Sequence, residues 1–461
     1  MKLPSLSPAL AAGAARGAGH LSRRLGRGGG TTLPGLLLTR LRPEATAEMA
    51  RSIPGGVALL SGTNGKTTTA RLVRAVLDAS GARVVANTAG SNLERGVATA
   101  LLDAGDAEVA LFEVDEAALP GLIQRTRPRV VTLMNLFRDQ LDRYGEMEHL
   151  VERWREAVAG LDQAATVVFN ADDPAMAEIA TGHPNTISYG VDDTRVGSDR
   201  LPHAADVTGC RRCGAPLRYG MVTIAHLGRW SCPACGLFRG HLDVAANRVE
   251  LHALDGQRLS VATPRGPIEV SLRLPGLHNA YNALAATATA LALGLDLETV
   301  GPALARRGAA FGRAERIDVG GVRVTTLLAK NPAGANENIR TMLLEDRPLR
   351  LLVLLNDRTA DGKDVSWIWD VDYELLLEGD RLASLTIGGD RAHEMALRFC
   401  YAGLAPHRLL VVPPVAAAFD TALSSCDPGT HLYVLPTYTA LLAFQALLSS
   451  RGLAPSFWQD R

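Results

Sequence analysis

The sequence lacks a charge excess of either sign. Lys plus Arg and Asp plus Glu number 48 each over 461 residues, so no global field marks nucleic acid or an anionic membrane as the main partner. It also lacks any uninterrupted stretch of about 20 uncharged apolar residues, the length a membrane-spanning helix needs, and a soluble protein is expected. Cysteine is scarce: of six, four fall in two Cys-x-x-Cys pairs. That usage argues against a disulfide framework and for a reducing compartment with a metal site, so the expected location is the cytoplasm. A chain of this length should divide into two or three domains.

Residues 8–27 contain no acidic side chain. They also lack a compact apolar run after Arg23-Arg24 and a cleavage-site context, which argues against a transit peptide or a twin-arginine export signal. Instead Leu10, Ala14, Ala18, Leu21 and Leu25 predict one helix face laid against the next domain. The basic face of the same segment is suited to the inner surface of a membrane. Residues 1–50 are therefore expected to form an N-terminal helical segment.

What is present is organised around Val57-Ala58-Leu59-Leu60-Ser61-Gly62-Thr63-Asn64-Gly65-Lys66-Thr67-Thr68. A short apolar run breaks into a Gly-rich turn and then a Lys-Thr helix start, the layout of a phosphate cradle. Gly62 and Gly65 let backbone N–H groups approach an anion, and the following helix offers its positive end. Lys66 would sit on the outer phosphates and the Thr67 hydroxyl on Mg²⁺. Leu60 stands where the first Gly of the general Walker pattern belongs.

Residues 57–170 alternate apolar runs with helical patterns. Val57–Ser61, Arg83–Ala86, Val109–Glu113, Val130–Asn135 and Thr166–Asn170 read as strands buried on both faces, hence a doubly wound parallel α/β sheet. Ligands in this class collect outside the carboxyl ends of the strands. Glu113, Asn135 and Asn170-Ala171-Asp172-Asp173 fall there together with the Gly-rich loop. Glu113 suits a Mg²⁺ ligand, because a hard cation takes carboxylates, although a strand-end acid serves equally as a helix cap. Asp172-Asp173-Pro174 also encodes a turn on its own.

Between Asp206 and His241 the texture changes to Cys210-x-x-Cys213-Gly and Cys232-x-x-Cys235-Gly, with 18 residues between the pairs. Such spacing reads as a zinc ribbon: four thiolates close a tetrahedral Zn²⁺ site with no position left for water, which argues for a structural role. With few apolar groups of its own, the insertion 206–241 should depend on metal to fold. Ile268–Leu274 then reads as a strand leading into Leu277-His278-Asn279-Ala280-Tyr281-Asn282, a helix start with Asn279 as a candidate cap. A second α/β unit follows, with strands Val322–Leu328, Leu349–Asn356, Ser384–Gly388, Arg408–Val412 and His431–Leu435.

The compressed loop Gly62-Thr63-Asn64-Gly65-Lys66-Thr67-Thr68 resembles the ATP loop of the Mur ligase superfamily, enzymes that join an amine to a carboxylate through an acyl phosphate. Other motifs in order are similar to that superfamily: Glu113, the segment Asn135–Gly145, Asn170–Pro174, the Asn279/Asn282 helix start and Phe311–Arg316. The resemblance implies that Glu113 holds Mg²⁺ and that Asn279 and Asn282 help seal ATP in its site. Leu328–Glu337 sits where many members carry Asp-Tyr-x-x-x-Pro, and here that Asp is missing.

Together with Asn356–Asp370, which gathers four acids and two tryptophans, and with the inserted ribbon, that stretch is similar to the MurT branch of the superfamily. The implied architecture is a Mur ligase-type central doubly wound domain over 51–315 with the inserted zinc ribbon, then a second, Rossmann-like α/β domain over 316–461. The implied reaction is ATP-dependent amidation of the D-glutamate α-carboxylate in the lipid II stem peptide to D-isoglutamine, at the membrane surface. Ammonia would come from a GatD-type glutaminase forming a heterodimer with this chain, because neither Cys400 nor Cys426 lies in a Gly-x-Cys-x-Gly turn. In that branch an acid of the 356–370 segment is thought to complete the partner's Cys–His pair; Asp364 matches, with Asp361 behind it, and Trp367 and Trp369 could anchor the interface. An amino-acid-adding Mur ligase, a folylpolyglutamate synthase-like ligase and a non-enzymatic ATP-sensing scaffold are the rival readings. Lys66→Ala is expected to abolish activity without loss of fold, as for an exposed loop residue.

Overall fold

The computed structural model describes residues 8–24, 32–87, 91–138, 147–306 and 313–454. Its first sheet has nine strands in the order Ile268–Leu272, Gln257–Ala262, Val244–Leu251, Thr186–Val191, Thr166–Asn170, Val130–Leu133, Val57–Ser61, Val109–Val114 and Val84–Ala86. All pairings from Val244–Leu251 through to Val84–Ala86 are parallel, and Gln257–Ala262 and Ile268–Leu272 extend the edge antiparallel. The chain runs from Val57–Ser61 to one side of the sheet and returns to add Val130–Leu133 on the other. The strand order thus reverses beside Val57–Ser61, and a crevice opens at its carboxyl end. Val57–Ser61 is buried throughout, as a strand covered by helices on both faces must be.

The second sheet has six strands in the order Arg313–Val319, Val322–Leu327, His431–Pro436, Leu349–Leu354, Leu382–Gly388 and Leu409–Val411. All its pairings are parallel except the hairpin of Arg313–Val319 with Val322–Leu327. Arg313–Val319 straddles the boundary expected at 315/316, because its ladder hydrogen bonds go to Val322–Leu327 of the second sheet. Residues 311–312 of Phe311–Arg316, and 139–145 of Asn135–Gly145, lie outside the described residues.

The N-terminal helix Pro8–Arg24 packs by a face one residue away from the expected one. Ala11 and Ala15 are fully buried against Leu38, Ala98 and Leu102, while Leu10 is 64% exposed and Ala14 is exposed. Small side chains let the helix backbones approach closely. Arg16 then reaches the carbonyl of Leu102 at 2.6 Å, so one charge of the basic face is spent on docking the helix. The side chains of Leu21 and Leu25 lie outside the described residues. Among the described residues no helix is long and apolar enough to cross a membrane.

The insertion forms an antiparallel pair, Arg218–Val222 with Gly228–Ser231, between the strands Thr186–Val191 and Val244–Leu251. Contrary to the expectation of a segment with little apolar support, it carries a small core of Val207, Leu217 and Trp230 around Cys210 and Cys232. It is also bonded to the main sheet. Trp230 Nε1 donates to the Ala171 carbonyl (3.1 Å), and Arg239 reaches Asp172 (2.8 Å) and Asp192 (2.6 Å).

Candidate active site

The Gly-rich loop leaves the carboxyl end of Val57–Ser61 and enters the helix Lys66–Ala79. Gly65, the N-cap, has φ 88°, and a Cβ there would meet Asn282 Oδ1 at 2.0 Å; only glycine fits both constraints. Asn135, just past the neighbouring strand, clamps the loop: its Oδ1 accepts from the Asn64 N–H (2.9 Å) and its Nδ2 donates to the Asn64 carbonyl (3.1 Å). Thr63 Oγ1 accepts from the Phe137 N–H at 3.0 Å. A cradle held at several points is preorganised, so an arriving anion need not order it.

The structure brings the two expected Mg²⁺ ligands together. Thr67 Oγ1 donates to Glu113 Oε1 at 3.0 Å. Asn87 fixes the Glu113 backbone on both sides, its Oδ1 accepting from the N–H (3.0 Å) and its Nδ2 donating to the carbonyl (2.8 Å). A hydroxyl and a half-buried carboxylate beside a phosphate cradle form a donor set of hard oxygens, which fits a magnesium ion.

Lys66 is not the exposed loop residue expected. Its side chain is 11% exposed, and Nζ lies 2.9 Å from Glu116 Oε2, with the Gly62 carbonyl at 2.5 Å. Burial raises the pKa of the Glu116 carboxyl, but the ammonium groups of Lys66 and Lys330 outweigh it and hold the group below its ordinary range. Lys330 comes from the second sheet's domain and donates to the Thr63 carbonyl at 3.3 Å. Beside it Asn331 Nδ2 donates to Asn64 Oδ1 (2.9 Å), while Asn331 Oδ1 caps the helix Pro332–Leu343 through the Gly334 N–H (2.9 Å). The segment lacking the family's Asp therefore supplies a lysine and an asparagine to the loop.

Asn279 does not cap the helix Leu277–Ala292. Gly276 is the N-cap, and Asn279, inside the first turn, donates to the Pro275 carbonyl at 2.7 Å. Its Oδ1 accepts from Asn282 Nδ2 (2.9 Å), and Asn282 Oδ1 lies 3.3 Å from the Thr69 hydroxyl, which ties this helix start to the loop helix. Asn279 and Asn282, with Asn64, Gly65 and Thr68, line a cleft between the two sheets' domains. Its far walls are apolar, from Ile224, Leu227, Leu274, Leu327 and Leu328, with Glu337 set among them. Burial raises the Glu337 carboxyl to about 7 against the opposing pull of Arg340, 3.1 Å away. Sequence reasoning gave Glu116, Lys330, Asn331 and Glu337 no role.

The four cysteines also converge. Their sulfur atoms lie within 4.8 Å of one another, with Cys210 to Cys235 at 3.6 Å and Cys213 to Cys232 at 3.5 Å, so the cluster could hold a metal ion. Backbone N–H groups of Cys235 and Ala234 pull the Cys232 thiol down, while burial raises the Cys210 thiol. Asp173, by contrast, caps the helix Pro174–Ala180 through the Ala175 N–H (2.9 Å) and accepts from the Leu136 N–H (3.0 Å), the structural role its turn motif allows.

In the second domain Asp361 and Asp364 face different surroundings. Asp361 Oδ1 accepts from the Thr439 N–H at 2.7 Å and thereby holds the start of the helix Tyr438–Ser450. Asp364 is exposed, and the hydrogen bonds Ser366 makes to its carboxylate lower its pKa and keep it charged. Of the two tryptophans, Trp367 is half-buried against the domain core, while Trp369 is 43% exposed and packs edge-on against Tyr401 at 5.3 Å.

Comparisons with known proteins agree with this layout. The Mur ligase middle domain family matches residues 60–209, and the MurT ligase C-terminal family matches residues 328–441. The chain is 33% identical over 452 residues to the lipid II isoglutaminyl synthase (glutamine-hydrolyzing) subunit MurT of Streptococcus pneumoniae, covering 95% of this chain and 96% of that one. Among solved structures it is similar to a pseudomurein peptide ligase type C from Methanothermus fervidus (TM-score 0.69, 22% identity, 90% of this chain and 83% of that one). It is also similar to Mycobacterium tuberculosis folylpolyglutamate synthase complexed with ADP (TM-score 0.62, 18% identity, 89% and 93%). Those two likenesses establish the fold; the near full-length match to the streptococcal subunit, joined to the C-terminal family, establishes that the chain belongs to the MurT family of Mur ligase-like proteins.

Proposed function

We propose that the chain is the ligase subunit of a glutamine-dependent lipid II isoglutaminyl synthase, the activity carried in the name of its streptococcal relative. The observation that carries the reading is the Thr67–Glu113 contact at the mouth of a cradle that also receives Lys66 and Lys330. In this reading ATP lies in the cleft with its phosphates on Gly62–Thr68 and its nucleoside beyond Asn279 and Asn282. Thr67 and Glu113 would hold Mg²⁺, which when bound would supply charge neutralisation for the phosphates.

Lys66 and Lys330 bring positive charge to the γ-phosphoryl group as it passes to the D-glutamate α-carboxylate. That transfer forms an acyl phosphate and releases ADP. Ammonia then attacks the acyl carbon, phosphate leaves, a proton is lost to solvent and the amide remains. Glu116 positions Lys66 by the ion pair, and Asn135 and Asn331 hold the loop that both lysines touch. The cysteine cluster, with four sulfur donors and no open position, fits Zn²⁺ in a structural role.

Ammonia would be delivered by a separate GatD-type glutaminase. Asp364 is the acid offered to that partner's Cys–His pair, and the exposed Trp369, packed on Tyr401, is an aromatic anchor in the same segment. Asp361, the fallback, is less suited to the part because Thr439 engages its carboxylate. The test is incubation of the purified chain with lipid II, ATP, Mg²⁺ and ammonium, followed by mass spectrometry of the product. Carboxylate-to-amide conversion with matching ADP release is expected; addition of an amino acid instead would assign the chain to the peptide-extending ligases.

A further inference from the structure

The ribbon reaches further than its cysteines. The turn joining its strands Arg218–Val222 and Gly228–Ser231 projects into the cleft, where Ile224 and Leu227, both buried, form part of the apolar wall. Three different parts of the protein seize this turn. The Thr223 hydroxyl lies 2.6 Å from Tyr281 OH on the Asn279/Asn282 helix. Arg340 Nη1, from the second domain's helix Pro332–Leu343, donates to the Thr223 carbonyl at 2.5 Å. The Gly228 N–H donates to the Asp172 carbonyl at 3.0 Å.

Within the turn Ala225 has φ 50°, a left-handed conformation that a non-glycine residue keeps only when its surroundings hold it there. The opposite end of the same hairpin runs directly into the sulfur cluster, since Cys232 follows the strand Gly228–Ser231 without an intervening residue. The hairpin is short, so an ion binding the four sulfurs fixes one end of a strut whose other end is a wall of the cleft.

We propose that the ribbon turn Thr223–Gly228 is a nucleotide-positioning element, and that metal at the four cysteines fixes it, so that the metal site sets the affinity of the cleft for nucleotide. The inference rests on the reading that the cleft holds ATP. Ile224 and Leu227 act as positioning residues by packing on the nucleotide or on the side chains around it, and Arg340 couples the turn to closure of the second domain. The metal takes no part in the chemistry; its effect travels through the hairpin.

The test is direct binding of a fluorescent ATP analogue to the full chain as purified and after metal removal by a chelator, with elemental analysis of both samples. Metal-free protein should bind the analogue at least about tenfold more weakly, a coupling of ordinary allosteric size. Reciprocity then requires that ATP tighten metal binding by the same factor, so that more chelator is needed to strip the metal at equilibrium when ATP is present, a measurement on unaltered protein that no folding defect of a variant can confuse. Ile224→Ala should weaken binding by about tenfold with metal content unchanged. Equal affinity with and without metal, with a metal affinity indifferent to ATP, would overturn the inference and leave the cleft assignment standing. Failure of the metal-loaded chain to bind the analogue at all would overturn both.

Discussion

Asp361 is held by Thr439: its Oδ1 accepts from the backbone N–H at 2.7 Å and its Oδ2 from the hydroxyl at 2.5 Å. A carboxylate bonded to both groups caps a helix of its own domain and has little left to offer another protein. Asp361→Ala should therefore act on stability, lowering the unfolding free energy by about 1 kcal/mol through the lost cap. Thermal unfolding checks this. An unchanged melting temperature with loss of glutamine-dependent turnover alone would return Asp361 to the partner site.

Lys66 and Glu116 make a second prediction, which differs from that for a free loop lysine. Lys66→Met leaves the Glu116 carboxylate buried without its ion-pair partner, at a cost of about 2 kcal/mol. Adding Glu116→Gln should recover most of that stability and none of the activity. Denaturant unfolding of the single and double variants, beside an ADP-release assay, separates the two roles of the lysine.

Glu337 predicts a pH dependence. Its carboxyl is raised from 4.5 to about 7, so the folded chain binds a proton there that the unfolded chain has lost. The associated stabilisation is fully present below about 4.5 and is lost as pH climbs to about 7, a span of roughly 3 kcal/mol. Glu337→Gln, which cannot ionise, should flatten the stability profile over that window. Parallel wild-type and variant profiles would contradict the buried, raised carboxyl.

The sulfur cluster predicts zinc in the purified protein. Elemental analysis should find one zinc per chain, and Cys213→Ser, which removes the exposed ligand, should lower that occupancy. Protein purified without chelator and free of zinc would contradict the assignment.

The parts of the site legible in the sequence are those whose chemistry is local. The Gly-rich loop, the strand-end Glu113 and the paired cysteines carry their meaning within a few residues, and the fold brings each to its expected neighbours. The parts that escaped are made by distance. Glu116 meets Lys66 from 50 positions away, and Lys330 and Asn331 reach the loop from 267 positions away. No periodicity or spacing encodes such pairings. Asn279 differs from expectation for another reason: cap preference favours Asn, but Gly276, at φ 85°, makes the turn into the helix. The N-terminal helix shows the same limit, since Ala11 and Ala15 pack with Leu38, Ala98 and Leu102 while the larger Leu10 stays exposed.

The measurement that bears most directly on the whole account is amidation of lipid II by the chain together with a GatD-type glutaminase, run with either glutamine or ammonium as nitrogen donor, for wild type and Asp364→Asn. Wild type should use both donors. The variant should lose at least about a hundredfold with glutamine, the scale on which an acid orienting a catalytic histidine acts, and retain its rate with ammonium because the ATP cleft is untouched. Equal loss with both donors, or no loss with either, would contradict it.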